Sequence, residues 1–170
     1  MGHRSLKNRG LANTAPVRIV PVVLAGVIGM LAVRLWVAEP MTVVSDSMEP
    51  TVRQGSTVLL HPAGPRADEL QTGRLVVFRS PEDDRLTLKR VAGSAGQTVA
   101  IRDGALYVDG TLVTEHYLDP RHTDGTFFHR VIVPDDHVFV LGDNRASSID
   151  SRDYGFVPVS DVTRMVLWPR

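Results

Sequence analysis

Between Ile19 and Val33 the chain carries fifteen consecutive residues without a charge, and after Arg34 the run resumes through Leu35, Trp36, Val37 and Ala38. No other feature constrains the fold as much. A helix over residues 19–38 rises about 30 Å, the thickness of a bilayer's hydrocarbon core. Arg34 and Trp36 fall near one end, where a long cation reaches the headgroups and an indole suits the interface. The flank before the run holds Arg4, Lys7, Arg9 and Arg18 and no acid, the bias that keeps a segment in the cytoplasm. Residues 1–18 therefore read as a basic cytoplasmic tail, 19–38 as a single-pass anchor in the lipid bilayer, and 39–170 as an extracytoplasmic domain. A cleavable leader is the competing reading, but no small-x-small site follows in Arg-Leu-Trp-Val-Ala-Glu-Pro. A buried soluble helix is disfavoured by Pro21, Gly26 and Gly29.

The rest of the chain has a different charge. Residues 39–170 hold 14 bases against all 19 acids, so the body is neutral to acidic, which argues against nucleic acid as its main partner. The absence of cysteine removes disulfide scaffolds, zinc-thiolate sites, iron–sulfur clusters and a cysteine nucleophile together.

Short apolar runs separated by Gly, Pro and Asp predict strands at Thr42–Val44, Ser56–Leu60, Leu75–Arg79, Thr87–Ala92, Thr98–Ile101, Leu106–Val108, Phe127–Val133, Val138–Leu141 and Val162–Leu167. Asp103-Gly104 and Asp109-Gly110 mark tight turns, making residues 98–113 a small meander. One short helix or turn falls at Ala67–Gln71, and residues 115–126 form an exposed loop. An all-β domain follows, an antiparallel sandwich or partly open barrel behind one transmembrane helix.

Three clusters bear on chemistry. Ser45-Asp46-Ser47-Met48-Glu49-Pro50-Thr51 is a polar turn by composition, and a serine there becomes a nucleophile only if a base removes its proton. Lys89 stands out because the other thirteen bases after position 38 are arginines. Drift explains one lysine equally well, yet arginine cannot be deprotonated and a buried lysine can. Bringing an amine from about 10.4 to about 7 costs roughly 4.6 kcal/mol, within reach of burial among apolar neighbours. The alternation Leu86-Thr87-Leu88-Lys89 suits such neighbours. The stretch from Gly142 to Gly155 is rich in turn formers and charges. It lacks the central glycine and closing glutamate of a calcium loop, and its short polar side chains suit a buried network beside an amine.

With these clusters in order behind an amino-terminal anchor, the chain resembles the type I signal peptidases, membrane-bound serine proteases with a serine–lysine dyad. The resemblance covers nearly all of residues 19–170. Ser45 to Thr51 resembles the nucleophile box, Lys89-Arg90-Val91-Ala92-Gly93 the lysine box, and Gly142-Asp143-Asn144-Arg145 with Ser148, Asp150, Ser151, Arg152 and Gly155 the third box. The resemblance implies Ser47 as nucleophile and Lys89 as general base. Ser45 would form the oxyanion hole with the Ser47 backbone N–H, and Ser148 would orient the amine. Asp143, Arg145, Asp150 and Arg152 would be supporting ion pairs, and Met48 would line the substrate pocket with residues 42–44. No metal or cofactor is implied. The substrates would be secretory preproteins with small residues before the cleavage site.

Two positions depart from the family pattern. Ser94-Ala95-Gly96-Gln97 follows Gly93 in place of the usual Leu-Pro-Gly-Asp, and Arg74 follows Gly73 where an acid is common. A specialised maturation protease acting on one partner protein fits the same boxes. A catalytically silent anchor is opposed by intact Ser47, Lys89 and Ser148. A Ser-His-Asp hydrolase would draw on His61, His116, His122, His129 or His137, but no Gly-x-Ser-x-Gly elbow is present.

Overall fold

The computed structural model of the chain describes residues 19–119, 121 and 125–168, with the backbone alone for residue 19 and for 31–37. The basic tail at 1–18 and His122 lie outside the described residues. Contacts divide the chain between Arg34 and Leu35 into two units. Helix α1 (Ile19–Val37) coincides with the segment read as an anchor. Its described large side chains, among them Val20, Val22, Leu24, Ile28 and Met30, are exposed. Among the described residues, however, no helix is long and apolar enough to cross a membrane.

The second unit is mostly β. Its strands are β1 (Glu39–Thr42), β2 (Thr57–Leu60), β3 (Leu75–Arg79), β4 (Leu86–Ser94), β5 (Thr98–Arg102), β6 (Ala105–Val108), β7 (Thr111–Leu112), β8 (Phe128–Ile132), β9 (His137–Leu141), β10 (Val157–Pro158) and β11 (Val162–Trp168). A four-residue helix, α2 (Ser151–Tyr154), separates β9 from β10. The strands form a seven-stranded sheet in the order β1-β2-β11-β3-β4-β9-β10 and a four-stranded sheet in the order β7-β6-β5-β8. Every pairing described is antiparallel.

The period of two explains why β3 is central. Leu75 and Val77 point into one apolar cluster with Met48, Val58 and Leu88, while Val76 and Phe78 point into a second with Val91, Val138 and Val140. A strand buried on both faces reads as a continuous apolar run, which is why Leu75–Arg79 has the bounds its sequence predicts. Strand β9 behaves likewise, sending Val138 and Val140 to the second cluster and Phe139 and Leu141 to a third shared with β5 and β6. Strand β4 joins the two sheets. Its register against β9 shifts between Val91 and Gly93, a bulge that bends the strand towards β5.

The turn chemistry is as expected at the meander. Asp103 and Gly104, and again Asp109 and Gly110, take positive φ in pairs, the conformation that matches the twist of two strands joined by two residues. Ser94-Ala95-Gly96-Gln97 also turns tightly despite its departure from the family pattern. Gly96 adopts a φ of 79°, Gln97 N–H donates to Ser94 O at 3.0 Å, and Ser94 N–H donates to Gln97 Oε1 at 2.9 Å. The structure corrects the reading elsewhere. Strand β1 runs Glu39–Thr42 rather than Thr42–Val44, because Val43 already turns to bond Ser56 O and Gly55 N–H. The short β7, β10 and α2 were not expected, since two to four residues carry no periodicity to read.

Gly93 sits at the joint between the sheets, where a Cβ would fall 2.4 Å from Val99 Cγ2 in the core. Gly93→Ala is expected to destabilise the domain by about 1–3 kcal/mol through overpacking, seen as a lowered urea midpoint with an unchanged slope.

Candidate active site

The loop after β1 places the first cluster. Glu49 N–H bonds Asp46 O and Val52 N–H bonds Met48 O, each at 2.9 Å. Met48, fully buried, plugs the loop into the apolar cluster beneath the large sheet. Ser47 is thereby held at the rim, buried, with its N–H donating to Ser45 Oγ at 3.1 Å. Ser45 itself is exposed.

Lys89 lies in the middle of β4, paired with Val76 of β3 and one residue before the pairing with β9. It is only 2% exposed. Burial lowers its ammonium from 10.5 to about 8, with Asp150, Asp143 and Asp46 acting to raise it and Arg152 to lower it. Ser45, Ser47, Met48 and Lys89 all line one groove of about 310 Å³, together with Val43, Val44 and Leu86. None of His61, His116, His129 or His137 does. Among the described residues no cluster of three or more His, Asp or Glu is placed to hold a metal ion.

The third cluster wraps behind this groove. Gly142, directly after β9, lacks a side chain for a steric reason: a Cβ there would lie 2.1 Å from Ser148 Oγ and 2.6 Å from Ser47 O. The absent side chain brings the first and third clusters together. Asn144 N–H donates to Ser47 O at 3.0 Å, and Asn144 Nδ2 to Asp46 O at 3.4 Å. Ser148 Oγ is buried and has no hydrogen-bond partner. The bond to the Lys89 amine implied by the resemblance is therefore not formed here, because the hydroxyl lies over the bare Gly142 Cα instead.

The four supporting residues are all in ion pairs, and two of the partners lie outside the cluster. Asp143 receives the Arg90 fork, Nε on Oδ1 at 2.8 Å and Nη2 on Oδ2 at 2.6 Å, with both side chains buried. Arg145 donates to Glu115 and, through Nε, to Gly142 O at 3.0 Å. Asp150 caps α2 and pairs with Arg152 at 2.8 and 2.9 Å, while its Oδ2 also accepts Gly142 N–H at 3.0 Å. Sequence reasoning missed Arg90, Glu115, Gly142 and Asn144 as participants. Arg90 had a signal, since a guanidinium in an apolar strand must find a carboxylate. Glu115 had none.

Residues 16–168 match the family described as signal peptidase, peptidase S26. The chain belongs to that family of peptidases. It is 35% identical over 152 residues to a probable signal peptidase I-1 of Synechocystis sp., covering 84% of this chain and 76% of that one. It is 29% identical over 170 residues to signal peptidase IB of Staphylococcus aureus, covering 89% and 88%. A crystal structure of a signal peptidase I from Enterococcus faecalis superposes with a TM-score of 0.51 at 32% identity, over 56% of this chain and 94% of that chain. The family's architecture of antiparallel sheets is thus the one found here.

The buried amine has a testable cost. An amine that titrates near 8 in the folded chain and near 10.5 unfolded destabilises the fold by about 3 kcal/mol below pH 8. The unfolded chain binds the extra proton between those values, so the penalty fades as pH rises from 8 to 10.5. Lys89→Met is expected to raise stability at pH 7 by a sizeable part of that amount. The advantage should disappear by pH 10.5, as measured by urea denaturation of both proteins at each pH.

Proposed function

We propose that this chain is a signal peptidase I: a serine endopeptidase that removes amino-terminal signal peptides from exported preproteins. The observation that carries the chemistry is the buried lysine sharing one groove with Ser47. In its neutral form Lys89 takes the Ser47 hydroxyl proton as Oγ attacks the scissile carbonyl. The oxyanion that forms is received by the Ser47 N–H and the Ser45 hydroxyl. These two groups now bond each other and are therefore already adjacent. Collapse breaks the C–N bond, and the lysine ammonium returns its proton to the departing amine, leaving an ester on Ser47. Water, deprotonated by the same amine, then attacks the ester and frees the enzyme. Ser148, buried without a partner, serves as the group that orients the amine once substrate fills the groove. Val43, Val44 and Met48 line the groove wall and suit small residues before the cleaved bond.

The proposal extends to topology, with a cytoplasmic tail at 1–18, a bilayer anchor at 19–38 and the peptidase domain outside. Support comes from the apolar residues exposed along α1 and from the basic flank. The described side chains of α1, from Val20 to Met30, are apolar and exposed, which suits lipid.

Incubation of the purified protein with a labelled preprotein tests the reaction. Site-specific cleavage is expected from the wild type and should be lost in Ser47→Ala. It should also be lost in Lys89→Arg, which keeps the charge but has no accessible neutral form. Wild-type rate should rise with pH through a midpoint near 8, matching the lowered amine. An active Lys89→Arg protein would end the dyad assignment. For the topology, a reporter fused after Arg170 should be active only outside the cytoplasm, and a chain beginning at Glu39 should still cleave a short soluble peptide.

A further inference from the structure

The segment that follows β7, residues 113–119, belongs to none of the motifs, yet two of its side chains lie against the residues that hold the site together. The Tyr117 ring lies on the Arg90 guanidinium, with Cζ 3.7 Å from the ring centre. The Tyr117 hydroxyl donates to Glu115 Oε1 at 2.7 Å, and the same oxygen accepts from the Arg145 guanidinium. Leu118 N–H donates to Glu115 O at 3.1 Å, closing the turn that carries both side chains. Arg90, Arg145 and Glu115 are all buried, with 6%, 3% and 5% of their side chains exposed.

The far ends of both arginines converge on one turn. Arg145 Nε holds Gly142 O, and Arg90 holds both oxygens of Asp143. That turn lies against Ser47 O and Ser148 Oγ at the distances that only a glycine permits. A planar guanidinium uses its edge for hydrogen bonds and its face for stacking, so Tyr117 adds a contact to Arg90 that competes with none of its bonds. A stacked cation away from water is also held more firmly than one at the surface.

We propose that Tyr117 and Glu115 are positioning residues for the peptidase reaction, bracing Arg90 and Arg145 so that the Gly142–Asp143 turn stays seated against Ser47 and beside Lys89. This rests on the peptidase reading above. It gives the four-stranded sheet a task in the reaction, because the brace leaves directly from β7. Lys89 feels Asp46 from the loop after β1, Asp143 and Asp150 from the loop after β9, and Arg152 from α2. Loosening Arg90 leaves Asp143 less neutralised, so the amine holds its proton more tightly.

The test uses the full chain in detergent with a labelled preprotein. The proteins compared are wild type, Ser47→Ala, Tyr117→Phe, Tyr117→Leu and Glu115→Gln. Tyr117→Phe keeps the ring over Arg90 and is expected within about twofold of wild-type kcat. Tyr117→Leu is expected to lose about ten- to a hundredfold in kcat, the scale of a misplaced site, with KM changed less than about twofold. The midpoint of its pH profile should move upward. Glu115→Gln keeps the shape, removes the charge that holds Arg145, and should lower kcat as Tyr117→Leu does, without an upward shift of the midpoint, because no carboxylate near Lys89 loses its cation. Amide hydrogen exchange should quicken at residues 142–145 in Tyr117→Leu and stay unchanged at 138–141. Wild-type kcat, midpoint and exchange in Tyr117→Leu would overturn the brace, as would exchange quickened throughout β9. If Ser47→Ala cleaves as well as wild type, the peptidase reading fails, and exchange at 142–145 still decides whether the brace exists.

Discussion

An amine kept out of water in the middle of a sheet is the constraint on which the rest of this structure depends. Lys89 is buried between β3 and β9, and desolvation is the largest influence on its charge. Desolvation alone would be undone by any free carboxylate nearby, which would hold the proton on the amine. Asp143 and Asp150 both lie within reach, and both are committed elsewhere. Asp143 is forked by Arg90, and Asp150 is bound by Arg152 and by two backbone N–H groups. Buried ion pairs of this kind contribute little net stability compared with apolar packing. Here they keep the carboxylates near Lys89 partly neutralised.

The same pairs also fix geometry. Ser47 and Ser148 come from loops about a hundred residues apart in the chain, and they meet because Gly142 offers no side chain to separate them. The Gly142 N–H is held by Asp150, its carbonyl by Arg145, and the next residue by Arg90. A turn held at three consecutive groups has little freedom to drift. That rigidity suits the catalysis proposed for the groove, which needs its groups held in one geometry.

Much of this is legible in the sequence. The fully buried β3 and β9 and the two Asp-Gly turns stand out in the sequence, because burial on both faces and paired positive φ leave strong local marks. Ser47 and Lys89 were singled out by their boxes, and Lys89 also by being the lone lysine after position 38; the structure places both on one groove. The misses share one cause. Strand β7, strand β10 and helix α2 are too short for periodicity, and β1 was displaced because a neighbouring backbone, rather than its own residues, sets where it stops. Among the site residues, the third box showed which side chains would pair but not with what. Glu115 and Tyr117 sit in a segment of ordinary loop composition, and nothing local distinguishes them from solvated residues.

The division follows from the range of the forces involved. An unbroken apolar run, an alternating strand, a turn glycine and a lone lysine among arginines are properties of residues and near neighbours, so the sequence by itself determined the β-rich architecture and singled out Ser47 and Lys89 as candidates. Which carboxylate neutralises which guanidinium, and which backbone must come close enough to forbid a Cβ, depends on groups brought together across 30 to 100 positions of chain. Those partnerships were decided only by the tertiary structure, because a buried charge is satisfied by whatever the fold places beside it.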